Sequence, residues 1–237
     1  MRGTWVVVGW LVPVALMLLL VTSNVRFTAN SISLYETLFD RNHVPARSGL
    51  PMPELLGVGQ QIQDYFGSDT EPLVVTATVN GVELELFEAD EVSHMSDVKQ
   101  LFIKTYRLQA GAIVVLVLAG AAVAYRCRKR ALDPLSLWVR RGAIISATTI
   151  VVIGGASVVA FDEVFLLFHK LGFPQGNFLF DTRNDYLVRV FPLGFWEDMT
   201  ILIGLLTLLE AAALYGLGLT VPRLARRRDA QAAAGKR

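Results

Sequence analysis

The 237-residue chain holds one cysteine, Cys127, and three histidines, His43, His94 and His169. A lone cysteine excludes an intrachain disulfide. With neither His-x₃-His nor paired-cysteine spacing, the sequence lacks the usual signatures of a zinc site. The Gly-x-Ser-x-Gly elbow is also missing, which excludes a serine hydrolase of the common α/β kind. Charge is scarce, at 18% of residues, and nearly balanced, with 22 Lys and Arg against 21 Asp and Glu. The basic clusters flank apolar runs and carry no interleaved aromatics, so nucleic acid is not an expected partner. Anionic lipid headgroups explain those clusters better.

Apolar residues are abundant. They make up 53% of the chain, and the mean hydropathy is +0.47. Four runs approach the roughly 20 residues that a bilayer crossing needs. Within lipid each run must be helical, because only then are its backbone groups satisfied internally. The first run, 5–21, ends in a polar Thr22–Asn24 turn. No Ala-x-Ala cleavage site follows, so 1–22 is read as an uncleaved anchor. The remaining spans are 108–125, 142–161 and 199–220, the last stopping at Pro222.

Charge placement orients the spans. Residues 126–141 hold six Lys/Arg and one Asp, and the tail 221–237 holds six and one. By contrast, 23–107 has six basic and twelve acidic residues, and 162–198 has three and six. The positive-inside rule then places both termini and the 126–141 loop in the cytoplasm, with 23–107 and 162–198 outside. The expected fold is an α-helical membrane protein with four transmembrane helices and a small α+β cap between spans 1 and 2. Cys127 falls on the cytoplasmic side and reads as a plain juxtamembrane residue.

The 23–107 segment is too short for an independent core and is expected to pack on the membrane helices. Within it, "PMPELLGVGQQIQDYFGS" places Leu55, Leu56, Val58, Ile62 and Phe66 as an amphipathic helix, weakened by Gly57 and Gly59. "LVVTATVNGVELELF" alternates about Asn80-Gly81, which predicts a hairpin with a type I′ turn. "FEADEVSHMSDVKQLF" follows as a helix capped by Asp90 and running into span 2. Asp90 and Glu91 suit the dipole at its start. The tail "AAAGKR" is expected to be disordered.

His94 shares a helix face with Asp90, Glu91, Asp97, Val98 and Leu101. It lies about 20 Å along the helix from Arg107, or about 10 Å from Leu101 if the helix enters the interface there. In 162–198, Asp162, Phe165 and His169 form one face continuing from span 3, until Gly172, Pro174 and Gly176 break it. A loop with Asp181, Asp185 and many aromatics follows. A re-entrant aromatic anchor is the plain reading of that loop. Two outward histidines beside carboxylates point instead to acid–base work, since histidine titrates nearest neutral pH. Metal ligation by His94, His169 and two carboxylates stands as an alternative. His43 reads as a surface residue. Glu210, inside the last apolar run and about 18 Å from Asp198, is expected to have a structural partner near the cytoplasmic edge.

Three stretches, "SHMSDVK" (93–99), "FDEVFLLFHKLGF" (161–173) and "FLFDTRNDYLVRVFPLGFW" (178–196), resemble motifs of the lipoprotein intramolecular transacylase family, Lit. The resemblance implies a bacterial cytoplasmic-membrane enzyme whose partners are membrane lipid and the lipidated N-terminus of bacterial lipoproteins. It would move an acyl chain from the glycerol ester to the α-amine of the N-terminal cysteine, facing outward and without a cofactor or metal. Its two catalytic histidines map to His94 and His169. Asp97, Asp162, Asp181 and Asp185 are then candidates to support them. A metal-dependent lipid hydrolase and a non-catalytic lipid- or lipoprotein-binding protein are the alternatives.

Overall fold

The computed structural model describes residues 2–128 and 131–234. Among them, the elements in chain order are α1 (Arg2–Ala29), α2 (Ile32–Arg41), α3 (Val44–Ser48), α4 (Met52–Gly67), β1 (Thr76–Val79), β2 (Val82–Glu85), α5 (Ala89–Cys127), α6 (Leu132–Val159), α7 (Phe161–Gly172), α8 (Tyr186–Val190) and α9 (Leu193–Ala234). The chain divides into two compact units. The first joins Met1–Asn24, Arg107–Gly154 and Ile203–Arg237, and the second joins Val25–Tyr106 and Gly155–Leu202.

The first unit holds most of the four helices that are long and apolar enough to cross a membrane. Valines and leucines such as Val117, Val151 and Leu209 stay exposed on them. Exposed apolar side chains along a whole helix suit a lipid surround. Helix contacts rely on small residues, as expected where lipid removes the hydrophobic drive between helices. A Cβ on Gly142 of α6 would meet the Leu16 side chain of α1 at 2.8 Å. Val12, Val123 and Trp138 form a buried cluster from α1, α5 and α6.

Several boundaries differ from expectation. α1 continues through Thr22–Asn24 to Ala29. Thr22 Oγ1 donates to the Leu18 carbonyl at 2.6 Å, so the hydroxyl stays satisfied inside the helix. Helix also replaces most of the 126–141 loop, since α5 runs to Cys127 and α6 starts at Leu132. Residues 129–130 of that loop lie outside the described residues. α9 passes Pro222 and extends to Ala234, because a proline removes one backbone donor without ending a long helix. The tail stretch 232–237 is therefore helical as far as Ala234, and its remainder lies outside the described residues.

The second unit has a core of its own. Tyr35, Phe39, Phe191 and Phe195 stack edge-to-face and offset, with centroids 5.2–6.0 Å apart. Phe39 and Phe195 are fully buried. Residues 187–199 complete this core, with Phe195 supplied by the start of the spanning helix α9. α4 forms despite its glycines because Gly59 is a contact point, where a Cβ would sit 3.0 Å from the Tyr35 ring. The hairpin has Val79 opposite Val82. Asn80 and Gly81, at φ 53° and 82°, make its turn, as type I′ requires. Asp198 accepts from Arg41 at 3.1 Å and from Asn42 at 3.0 Å, fastening α2 to the start of α9.

Candidate active site

Both histidines of interest belong to the second unit. α5 starts at Ala89, so Asp90 sits in its first turn and is not its cap. The charge-free part of α5 begins after Arg107, which leaves His94 outside the apolar run. α6 ends at Val159, and Ala160, at φ −147° and ψ 61°, separates it from α7. The His169 face is thus a separate helix and does not continue span 3. Gly172 closes α7, and residues 173–185 form a strap that returns to α8.

The fold brings the two imidazoles together. Their centroids lie 5.9 Å apart, with planes 19° from parallel. Phe173 touches both rings, at 4.7 Å from His94 and 5.2 Å from His169. Phe180 packs on His94 at 5.5 Å, while Phe165 and Phe178 pack on His169 at 4.1 and 5.4 Å. This aromatic sleeve removes water from the pair. His94 is buried and His169 half-buried.

Burial sets their protonation. His94 is pushed down to about 4, first by desolvation and then by the neighbouring His169, with Asp97 opposing. Desolvation also lowers His169 from the ordinary histidine value, partly offset by its bond to the Phe165 carbonyl. Both rings are neutral at neutral pH. His169 Nδ1 lies 2.9 Å from that carbonyl, which can only accept. Nδ1 therefore carries the hydrogen, and Nε2 keeps the lone pair. No such partner fixes His94, whose Nδ1 is buried without a hydrogen bond.

Asp97 lies near His94 electrostatically, but its carboxylate serves the strap. Its oxygens accept from Asn177 Nδ2 at 3.0 Å and from Gln175 Nε2 at 3.4 Å. Asp162 is exposed in the first turn of α7. Asp181 and Asp185 shape their own turn: Asp185 accepts from the Asp181 backbone N–H at 2.6 Å, and Asp181 from that of Arg183 at 3.0 Å. Among the described residues no hydrogen bond carries Asp162, Asp181 or Asp185 to either imidazole. Nor, among them, do three His, Cys, Asp or Glu side chains converge within reach of one metal ion.

Two residues gain roles that their types did not signal. Glu91 is almost fully buried and is more than a helix-end charge. It accepts from the backbone N–H of Glu88 at 2.8 Å and of Leu187 at 2.6 Å, tying the start of α5 to α8. Desolvation raises its pKa, the two N–H donors oppose that, and Asp185 and Glu88 add to it. Asn177, in a stretch that reads as a turn, donates to Ser93 and Asp97. Glu91 was findable as the residue one turn before His94, but nothing local singled out Asn177. An open groove of about 500 Å³ runs along another face of α5, past Val92, Ser93, Ser96 and Gln100.

In the first unit, Glu210 accepts from Asn24 at 2.9 Å. Asn24 also donates to Thr207 at 3.1 Å, and the adjacent Ser23 pairs with Gln109 at 3.0 Å. Gln109 stands at the start of the apolar run of α5, next to Leu108. The partner of Glu210 is therefore at that end of the spans and not beside the basic residues at their other end.

A family described as lipoprotein intramolecular transacylase Lit matches residues 10–196. Among solved structures, the chain is similar to the membrane integral lipoprotein intramolecular transacylase Lit from Bacillus cereus. The TM-score is 0.79 at 15% identity, over 98% of this chain and all of that one, 100%. A variant of that protein with a histidine replaced by alanine gives 0.76 at 16% identity, over 95% of this chain and 97% of the other. A curated relative from Aquifex aeolicus (strain VF5), an uncharacterized protein, is 27% identical over 123 residues. The chain spans about half the length of that relative, 52% of each being aligned. With most of its length matched, this multi-pass membrane protein belongs to the lipoprotein intramolecular transacylase family, Lit, a family of acyltransferases.

Proposed function

We propose that this chain transfers an acyl chain within a diacylglyceryl lipoprotein, from a glycerol ester to the α-amine of the N-terminal cysteine, with His94 and His169 as the catalytic pair. The observation that carries the reading is the stacking of two neutral imidazoles inside an aromatic sleeve. An ester-to-amine transfer needs no enzyme nucleophile, since the substrate amine attacks. It needs a base for the amine proton, a donor for the oxyanion and close positioning of the two substrate arms.

His169 is suited to the base, because its bond to Phe165 leaves Nε2 as the acceptor nitrogen. His94, neutral at working pH, would donate an N–H to the oxyanion. The amine nitrogen bonds to the acyl carbon as its proton passes to His169. Collapse then breaks the carbon–glycerol oxygen bond, and the same proton returns to that oxygen. The charge asymmetry of the loops supports a site outside the bacterial cytoplasmic membrane with both termini inside. Membrane lipid and a lipoprotein N-terminus are the partners that follow.

Mass spectrometry of lipoprotein N-termini decides the matter, in a host that lacks other N-acylating enzymes and expresses this chain. Intramolecular transfer leaves the intact mass unchanged and moves one acyl chain onto the amine, visible on fragmentation. A hydrolase would lower the mass by one acyl chain, and a binding protein would change neither.

A further inference from the structure

We propose that Asn177 binds the attacking amine through its side-chain oxygen and stabilises the charge that nitrogen acquires in the transition state; this rests on the transacylase reading above. Asn177 Nδ2 donates to Asp97 Oδ2 at 3.0 Å and to Ser93 Oγ at 3.3 Å. A carboxylate cannot donate, so Asp97 fixes which end of the amide faces it, and Oδ1 must point the other way. That oxygen is buried and has no partner, as is His94 Nδ1 beside Ser93. A buried carbonyl oxygen without a hydrogen bond is costly in a folded protein and marks a site that an N–H donor should occupy.

The surroundings say which donor. Asn177 lies on the strap between Phe173, which touches both imidazoles, and Phe178 and Phe180, which touch one each. The N–H donor that reaches this place during the reaction is the substrate amine. A primary amine attacking an ester carries two hydrogens and a growing positive charge. One hydrogen passes to His169 Nε2, and the other donates to Asn177 Oδ1. Because Oδ1 is covered, the side chains over it must move aside as the amine enters, while Nδ2 stays bonded to Asp97 and Ser93 on α5.

The test is a cycle between Asn177 and the second N–H of the substrate. Purified wild type and Asn177→Ala are assayed in micelles with a diacylglyceryl-cysteine peptide and with its N-methyl-cysteine counterpart, by N-acyl product formation. In the wild type, N-methylation removes the N–H that Asn177 accepts and lowers kcat/KM. In Asn177→Ala, kcat/KM for the primary amine falls roughly 10- to 100-fold, the size of one hydrogen bond to a charged group. The added penalty of N-methylation should then shrink by the same factor. An equal N-methyl penalty in both proteins overturns the assignment, and it leaves the transacylase reading intact because the wild type still makes product. A wild type that yields no N-acyl product on either peptide overturns both. Asn177→Leu, of nearly the same size and without the oxygen, serves as a second variant should the alanine protein not fold. An N-methyl penalty there equal to that of the wild type likewise overturns the assignment.

Discussion

The two units solve the same packing problem in different solvents. In the membrane-spanning unit, helices meet through small residues and a few buried hydrogen bonds, such as Gly142 against Leu16 and Asn24 to Glu210. Its apolar side chains mostly face outward. In the second unit, aromatic rings turn inward, and buried charged groups fasten loops to helices. Lys99 lies buried between the Thr70 carbonyl, at 2.7 Å, and Glu71, at 3.3 Å, with Tyr65 4.0 Å beneath it. Burial of aromatic surface favours the second arrangement, although Leu166, Leu167, Phe168 and Leu171 of α7 stay exposed, whereas lipid offers no comparable force between helices. The catalytic candidates sit where buried polar groups can be specified singly.

The contrast can be broken most severely at the imidazoles. His94→Ala and His169→Ala should each lower N-acyl product formation by about 10²- to 10⁴-fold, while the protein still purifies from membranes. Full activity in either variant removes that histidine from the mechanism. The next largest effect is expected at the aromatic core: Phe39→Ala should cost the second unit about 3–5 kcal/mol, read as earlier proteolysis of residues 25–106 on heating. Glu91→Ala should follow at about 1.5–3 kcal/mol, since it strands two buried backbone donors that now bond a carboxylate. Glu91→Gln, which keeps one acceptor oxygen, should lose less.

A histidine whose folded pKa lies below its unfolded value favours the folded state above the unfolded value, near 6.5. That contribution is lost as pH falls from there through the folded pKa, which for His94 is about 4. The second unit should therefore weaken between those values. In His169→Gln, with the neighbouring ring no longer able to carry charge, His94 should titrate above about 4 in ¹⁵N NMR; an unchanged value would show that the rings do not interact. The smallest effect is expected in the spans. Asn24→Leu removes two hydrogen bonds, to Thr207 and Glu210, and should cost about 1–2 kcal/mol, since such bonds between membrane helices average about 0.6 kcal/mol each. A loss as large as that of Phe39→Ala would erase the distinction between the units.

Local chemistry was legible where it repeats or punctuates. Asn80-Gly81 announced the turn because both residues tolerate positive φ, and Gly172 with Pro174 announced the end of α7. His94 and Asp97 read as neighbours because a helix fixes residues three apart on one side. The expected turn at Thr22–Asn24 failed for a local reason too, since Thr22 satisfies its hydroxyl within α1. Asp162, Asp181 and Asp185 lie near His169 in sequence; in the fold Asp162 stands in the first turn of α7, and Asp181 and Asp185 bond their own turn.

By itself the sequence determined the four apolar helices, the hairpin and the helix carrying His94, because periodicity, turn residues and lipid solvation act over short stretches. Only the tertiary structure decided that 187–199 completes the aromatic core around Tyr35 and Phe39 and that His94 meets His169. It alone also showed that Asp97 orients Asn177 and that Glu91 ties α5 to α8. Those pairings span from 75 residues of chain, between the two imidazoles, to 160, between Tyr35 and Phe195. No local preference encodes contacts at that distance; burial of the aromatic residues between them selects the partners.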